Sequence, residues 1–544
     1  MARRLSVAAA VGSGALLACL GPGDSQETAF AAASDQRCDF SGDGMPDTVT
    51  GIPGKTVDGK KGAGAIMVRY QFAGLEFPVM YTSDALTPAT GNHFGLSLAC
   101  GDFNGDGYTD LAVGAPGYDH DAGAVVVFYS DGTALGPSTA FTQDTSRGGY
   151  NVPGVKEAGD LFGWSLAAGD FNNDGEDDLA IGAPHEAVKL GNKTYDLSGA
   201  VVVLNGAGAN GLTANGKLFD LSSINSEWVL KNDGTRYGWS LASGDFDGDT
   251  IEDLVVGVPG AGVQDFHSKD KFRGVGLVHE LRGHHHSGLA SHQYFWEGLF
   301  LGNDTPRAGD DFGFAVAVGD LDGNGRDDIV VGAPGDWAGL DLSCGDVCEW
   351  DGDGAGMVFA IKHTNADSYA YNWYLQGVNG VAGVAEDGDH FGFSVAVGDF
   401  DSEHGADIAV GVPGENGTGA VTLIYSGGGS SNLIQGAGGL PGVAETGDYF
   451  GFALAITDQD HDGVVDLLIG APSEDLKDIE NTGTSMTVFG NAGSGLSGGS
   501  LFDQSAPNGY QDWVPGETNH TWSSQLWEIA TDYRGEAFGF SVVG

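Results

Sequence analysis

Basic side chains are scarce. The 544 residues include 23 Lys and Arg against 75 Asp and Glu, a formal net charge of -52. A surface this negative repels phosphate backbones and anionic lipid heads, which argues against nucleic-acid binding. Long apolar runs are also missing. The one candidate, Leu5 to Leu20, is too short and too small in its side chains for a secure membrane span of roughly 18 apolar residues. Helical periodicity is absent, and there are only 5 cysteines. What abounds is glycine, 94 residues or about 17% against a usual ~7%, which calls for many tight turns and few long helices. Its lack of a three-residue period excludes collagen. A hydrophobic fraction of 41% with 10% aromatics supports a packed globular fold rather than a disordered chain.

The N-terminus has the pattern of an export signal, with Arg3 and Arg4 ahead of the apolar run. Two processing routes fit. Cleavage after Ala29-Phe30-Ala31 gives a signal peptide of residues 1–31, whereas the lipobox Leu16-Leu17-Ala18-Cys19 gives a lipoprotein signal of 1–18 with a lipid anchor on Cys19. Either route predicts a secreted or cell-surface protein with no transmembrane segment. A short linker, 32–37, follows, and one domain, 38–544, takes up the rest. Cys38, Cys100, Cys344 and Cys348 then remain, an even number in an oxidising compartment.

One phrase recurs along that domain: an aromatic-Gly strand, Gly-Asp, an acidic loop, and an apolar strand ending in Gly-Ala-Pro or Gly-Val-Pro. Complete copies begin at His93, Leu161, Arg236, Asp311, His390 and Tyr449, and the leading aspartates of successive loops lie 59 to 79 residues apart. That period suits one four-stranded sheet per copy. The stretch from Cys38 holds a seventh acidic loop and second strand without the aromatic-Gly strand, and Phe538 to Gly544 supplies such a strand with nothing after it. Joined, they complete a copy, so the last strand is expected to close a ring with the first sheet. Within each copy the first strand is of the FGxSLA type and the second of the DLAVGAP type. Third strands are predicted at 123–129, 199–204, 356–361 and 419–425, and fourth strands at 218–221, 294–296 and 373–375. The Gly- and Ser-rich stretch 494–500 reads as a turn.

The acidic loops share a frame in which oxygen side chains stand at positions 1, 3, 5 and 9, a backbone carbonyl is available at 7, and Gly stands at 6 for the sharp turn. A hard divalent cation needs such a set. The frame gives Asp39, Ser41, Asp43, Met45 (carbonyl) and Asp47; Asp102, Asn104, Asp106, Tyr108 (carbonyl) and Asp110; and Asp170, Asn172, Asp174, Glu176 (carbonyl) and Asp178. It continues with Asp245, Asp247, Asp249, Ile251 (carbonyl) and Asp253; and Asp320, Asp322, Asn324, Arg326 (carbonyl) and Asp328. The last two are Asp399, Asp401, Glu403 and Asp407; and Asp458, Asp460, Asp462, Val464 (carbonyl) and Asp466. Two loops depart at position 6, where Thr250 and His404 replace glycine at a cost in backbone strain. Asp-Asn-Gly turns also favour hairpins without any metal. Against that, 24 of the 75 acids occupy ligand positions, and three or four carboxylates within nine residues repel one another unless a cation joins them.

The arrangement resembles the FG-GAP repeat family, which forms the seven-bladed β-propeller head of integrin α subunits, recurs beside the catalytic domain of glycosylphosphatidylinositol-specific phospholipase D, and occurs in exported bacterial proteins. The resemblance covers roughly residues 38 to 544. It implies an all-β, seven-bladed propeller of four-stranded antiparallel blades bearing Ca2+, about five to seven ions by the count of intact loops, and it implies no particular ligand.

Other candidates take ordinary readings. His284-His285-His286 fits an exposed turn. His292, Tyr294, Trp296 and Glu297 fit edge-strand packing. Cys344 and Cys348, beside Asp351 and Asp353, fit a stapled loop, and Cys38 and Cys100, at nearly equivalent places in adjacent copies, fit a disulfide between them. No catalytic set stands out, so the expectation is a binding or adhesion module for a protein or glycan. The alternatives are an extracellular polysaccharide hydrolase or lyase on a propeller scaffold, and a structural surface component.

Overall fold

The computed structural model describes residues 38–72, 75–264, 271–300, 306–336, 354–473 and 484–502. The signal, lipid-anchor and linker assignments, the pair Cys344 and Cys348, and the strand 538–544 lie outside the described residues.

Short apolar strands joined by glycine turns fold back on one another into a succession of antiparallel sheets, numbered here in chain order. Sheet one comprises Thr48–Ile52, Ala65–Phe72 and Leu75–Tyr81. Sheet two comprises Leu98–Gly101, Asp110–Ala115, Ala124–Ser130 and Leu135–Phe141. Sheets three to seven repeat the four-stranded pattern within residues 166–220, 240–295, 315–374, 394–433 and 453–502, each hydrogen-bonded in chain order. Sheet one lacks an aromatic-Gly strand among the described residues. The second strand is buried at every position in sheets two to seven, because neighbouring sheets cover both of its faces. Fourth strands are the exposed edges, as in Ser368–Tyr374.

The aromatic-Gly pair lies just ahead of the first strand rather than within it. First strands begin at Leu98, Leu166, Ser240, Ala315, Ser394 and Ala453, and the motif glycines before them have φ between 83° and 94°, outside the extended region. The pair instead joins successive copies. The Phe162 N–H donates to the Ala122 carbonyl at 3.2 Å, and the Tyr237 N–H donates to that of Ser198 at 2.9 Å. Third strands likewise start one residue late, after Gly123, Gly199, Gly356 and Gly419, which have φ of 78° to 88°. Three of these, Gly123, Gly199 and Gly419, form parallel bridges to the next copy's aromatic residue. Fourth strands are longer than expected, Gly216–Asp220, Ala290–Phe295 and Ser368–Tyr374. Ser497–Phe502 is also a strand, because pairing with Thr484–Phe489 overrides its Gly and Ser content.

The Gly-x-Pro glycine explains itself at the same junction. A Cβ on Gly182 would lie 2.2 Å from the Gly238 carbonyl oxygen, and one on Gly257 would lie 2.2 Å from that of Gly313. Ser165 Oγ donates to the same Gly238 oxygen at 2.8 Å. The residues after five of the six aromatic-Gly pairs form a chain of neighbouring rings, Trp164–Trp239–Phe314–Phe393–Phe452, with centroids 4.7 to 5.9 Å apart. One hydrophobic cluster holds Leu96 of sheet two together with Phe452 of sheet seven. In sheet one, the buried Arg69 donates through Nη2 to Ser485 Oγ of sheet seven at 3.4 Å. Cys38 and Cys100 are disulfide-bonded across 62 residues.

Gly182→Ala is expected to destabilise the chain by about 3 kcal/mol through overpacking. Ser165→Ala should cost only about 1 kcal/mol, since Ala315 and Ala453 fill the equivalent place in other copies. Denaturant unfolding of both variants checks the contrast.

Candidate metal centres

From Asp102 onward each acidic loop joins the first strand of a sheet to the second, and the loop from Asp39 leads into Thr48–Ile52, which pairs as those second strands do, so the loops lie at the same end of their sheets. Local hydrogen bonds fold the loop around its leading aspartate. Asp102 Oδ1 and Oδ2 accept from the N–H groups of Asp106 and Gly107 at 3.1 and 2.8 Å. Asp39, Asp170, Asp245 and Asp320 do the same with their own positions 5 and 6. Position 6 has positive φ throughout, including Thr250 at 73° and His404 at 76°. The strain expected at those two residues is therefore present.

The carboxylates at positions 1, 3 and 9 converge. Oxygens of Asp245, Asp247 and Asp253 lie within 4.8 Å of one another, as do those of Asp320, Asp322 and Asp328, of Asp399, Asp401 and Asp407, and of Asp458, Asp460 and Asp466. In the first three loops a neutral oxygen side chain fills position 3 and touches the same partners. Ser41 Oγ is 3.3 Å from Asp39, and the amides of Asn104 and Asn172 reach Asp110 and Asp178 at 3.2 and 3.0 Å. Position 5 stands apart from the converged groups. Asp43, Asp106, Asp174, Asp249, Asn324 and Asp462 each accept the N–H of position 7 at 2.8 to 3.2 Å. This places Met45, Tyr108, Glu176, Ile251, Arg326 and Val464 on the turn. Glu403 does not share that bond; its own N–H donates to Asp401 at 2.9 Å.

The position 9 aspartate also has a structural role. Asp110 accepts from the Phe103 N–H in its own loop and from the Ser130 N–H at the end of the third strand. Asp253, Asp328, Asp407 and Asp466 repeat this pair of bonds. Burial pushes the carboxyls of Asp110, Asp178 and Asp253 up to about 8, and those of Asp328, Asp407 and Asp466 up to about 7. Neighbouring loop aspartates add to the rise, and the backbone donors partly offset it.

A hard dication fits these residues. The donors are all oxygen, and Asn104 Oδ1 and Asp399 Oδ1 are buried without a hydrogen-bond donor. Loop four has one further feature, because the Arg282 guanidinium stands 3.4 Å from Asp247 Oδ2 at position 3.

Sequence reasoning passed over two groups. At position 2, Phe40, Phe103, Phe171, Phe246 and Phe400 are fully buried and anchor their loops to the core; the recurring Asp-Phe pair was the available signal. At position 8, Asp177 Oδ2 accepts the Asp102 N–H of the preceding loop at 2.7 Å, and Asp327 accepts that of Asp245 at 3.0 Å. The doubled acids Asp177-Asp178 and Asp327-Asp328 announced them. Of the other candidates, His284, His285 and His286 form an exposed turn, and the N–H groups of His284 and His286 dock on loop three. Trp296 and Glu297 are buried, and Trp296 packs against Phe272 at 5.9 Å between centroids.

A family model described as FG-GAP repeat matches residues 94–128, 162–204, 237–275 and 312–340. The chain carries FG-GAP repeats. The matched FG-GAP segments each open at the motif aromatic residue, and the unmatched copies from His390 and Tyr449 fold in the same way. Relatives include phosphatidylinositol-glycan-specific phospholipase D of Rattus norvegicus, 36% identical over 31% of this chain and 19% of that protein. Integrin alpha-PS2 of Drosophila melanogaster is 30% identical over 50% of this chain and 17% of its own length. The chain therefore spans about a fifth of the length of these relatives. Among solved structures, a Bacillus licheniformis rhamnogalacturonan lyase has a TM-score of 0.32 at 13% identity, covering 89% of this chain and 91% of its own. An Aleuria aurantia lectin in complex with alpha-methyl-L-fucoside has a TM-score of 0.34 at 11% identity, covering 77% and 97%. The described residues form an all-β succession of antiparallel sheets, and the FG-GAP match falls on four of its repeats. Among the described residues no helix is long and apolar enough to cross a membrane.

Two measurements bear on the loops. The position 9 carboxyls bind protons more tightly in the folded chain than in the unfolded one, so metal-free stability falls as pH rises through their folded values. Melting in excess chelator is expected at a lower temperature at pH 8.5 than at pH 6.5, with the difference reduced or reversed by millimolar Ca2+, which favours the ionised form. Thr250→Gly should stabilise the calcium-loaded chain by about 1 kcal/mol through relief of the positive φ, measured by denaturant titration.

Proposed function

We propose that the chain is an exported, calcium-braced, seven-bladed β-propeller that serves as a binding or adhesion module for a protein or glycan. The observation that carries this reading is a division of labour between the two ends of the sheets. Every acidic loop lies at one end. The additional strands, 146–147, 150–151, 188–190, 193–195, 229–230, 262–264 and 271–272, all fall in connections at the other end, after second or fourth strands. Loops built out from a rigid scaffold are where ligands are bound.

Ring closure is supported by the hydrogen bond from Arg69 to Ser485 and by the cluster shared by Leu96 and Phe452. In this reading Phe538 to Gly544 supplies the first strand of sheet one. The export signal is residues 1–31, or 1–18 with a lipid anchor at Cys19, and the propeller occupies 38–544. Calcium is held by the side-chain oxygens at positions 1, 3 and 9, joined by position 5 and the carbonyl of position 7. It braces each first-to-second strand turn and neutralises charge there.

Elemental analysis of the purified chain is expected to find about five to seven Ca2+, and chelator should lower the melting temperature. Absence of calcium with an unchanged melt would refute the brace. Deleting 538–544 should also lower the melt. A broad glycan array and a polysaccharide-depolymerisation assay on the calcium-loaded chain test the role. Binding without turnover supports the module, and turnover replaces it with the enzyme reading.

A further inference from the structure

Cations are few in this chain, yet four of its 23 Lys and Arg side chains gather around one cavity of about 530 Å3. Lys193, Lys231, Arg236 and Arg273 line it together with Asp233 and Asp311. These residues precede the first strands or follow the second strands of sheets three to five, so the cavity opens at the end opposite the acidic loops.

Arg236 is the central residue. Its side chain is more than nine-tenths buried and its Nε has no hydrogen-bond partner. The guanidinium lies 5.4 Å from the Trp239 ring centroid, which orients it without satisfying its donors. Among the described residues neither Arg236 nor Arg273 forms an ion pair, while Lys231 Nζ donates to the Leu221 carbonyl. Of the two acids, Asp233 is engaged by the Asp196 N–H at 3.2 Å, and burial pushes the Asp311 carboxyl up to about 7 against the lowering pull of the Arg236 charge. A buried guanidinium whose Nε–H is unpartnered, among other cations, is complementary to an anion.

The wall decides the kind of anion. Four glycines and one asparagine complete the lining, and no aliphatic or aromatic side chain contributes. A peptide ligand anchors through apolar or aromatic pockets, which are missing here. A surface of backbone polar groups and charged tips matches a ligand covered in hydroxyls, and the volume falls within the usual range for small-ligand sites.

We propose that this cavity binds the acidic group of an anionic saccharide, a uronate or a sulfated sugar. The proposal rests on the binding-module reading and names the ligand class for it. The test is calorimetric titration of the calcium-loaded full chain with tri-galacturonate, a sulfated galactose trisaccharide, a neutral galactose trisaccharide and an acidic hexapeptide. At least one acidic trisaccharide is expected to bind about tenfold or more tightly than the neutral one, and to weaken as salt is raised from 50 to 500 mM; which of the two binds separates carboxylate from sulfate. Arg236→Gln and the exposed Arg273→Gln should each weaken that binding about tenfold, whereas Lys156→Gln, outside the cavity, should leave it unchanged. Melting curves of the three variants separate loss of the site from loss of the fold, and Arg273→Gln retains the test if Arg236→Gln unfolds. Silence of both acidic trisaccharides, equal binding of the neutral one, preference for the peptide, or binding indifferent to Arg273→Gln with the fold intact would overturn the proposal. Binding of neutral glycans on the broad array alongside silent acidic trisaccharides would remove this inference and leave the module reading standing. Silence across the array and with protein ligands would remove the module reading itself.

Discussion

A backbone carbonyl pressed into a glycine notch holds each copy of this chain to the next. The second strand of one sheet ends in Gly-x-Pro, and the oxygen of the following aromatic-Gly pair lies where that glycine's Cβ would be. Around this contact are the parallel bridge from the third-strand glycine, the serine hydroxyl on the same oxygen, and the motif aromatic residue sealed into the core. Three motifs that look separate along the chain are thus parts of one joint. Because close packing tolerates little added volume at such a joint, sheets of very different connection length still meet in the same way.

Electrostatics works at the opposite end of the same strands. Carboxylates at positions 1, 3 and 9 are brought together by backbone donors rather than by cations of the chain itself, with Arg282 at loop four an exception among the described residues. Desolvated carboxylates in contact are costly when ionised. The loops are therefore arranged for either a proton or a metal. The position 8 acids, which accept from the preceding loop's leading N–H, tie one loop to its neighbour, so the state of one bears on the geometry of the next.

Much of this was legible in the sequence because it repeats. Six complete copies fixed the strand–loop–strand unit and the turn at position 6, and Thr250 and His404 were recognisable as strained substitutes. Harder to foresee were features that depend on partners distant in the chain. The fourth strand 497–502 is a strand only because it pairs with the third strand beside it. Phe103, between Asp102 and Asn104, has its pocket supplied in part by the adjoining sheet. The basic cavity was invisible for the same reason, since Lys193, Lys231, Arg236 and Arg273 carry no common motif and converge only when three sheets are assembled.

The segregation of loops to opposite rims has an evolutionary consequence. Insertions such as the hairpin 188–195 can lengthen, shrink or change charge without touching the carboxylate turns at the other end of the strand. A lineage can thus diversify its recognition surface while the supporting frame stays constant. Selection on one rim is thereby decoupled from selection on the other.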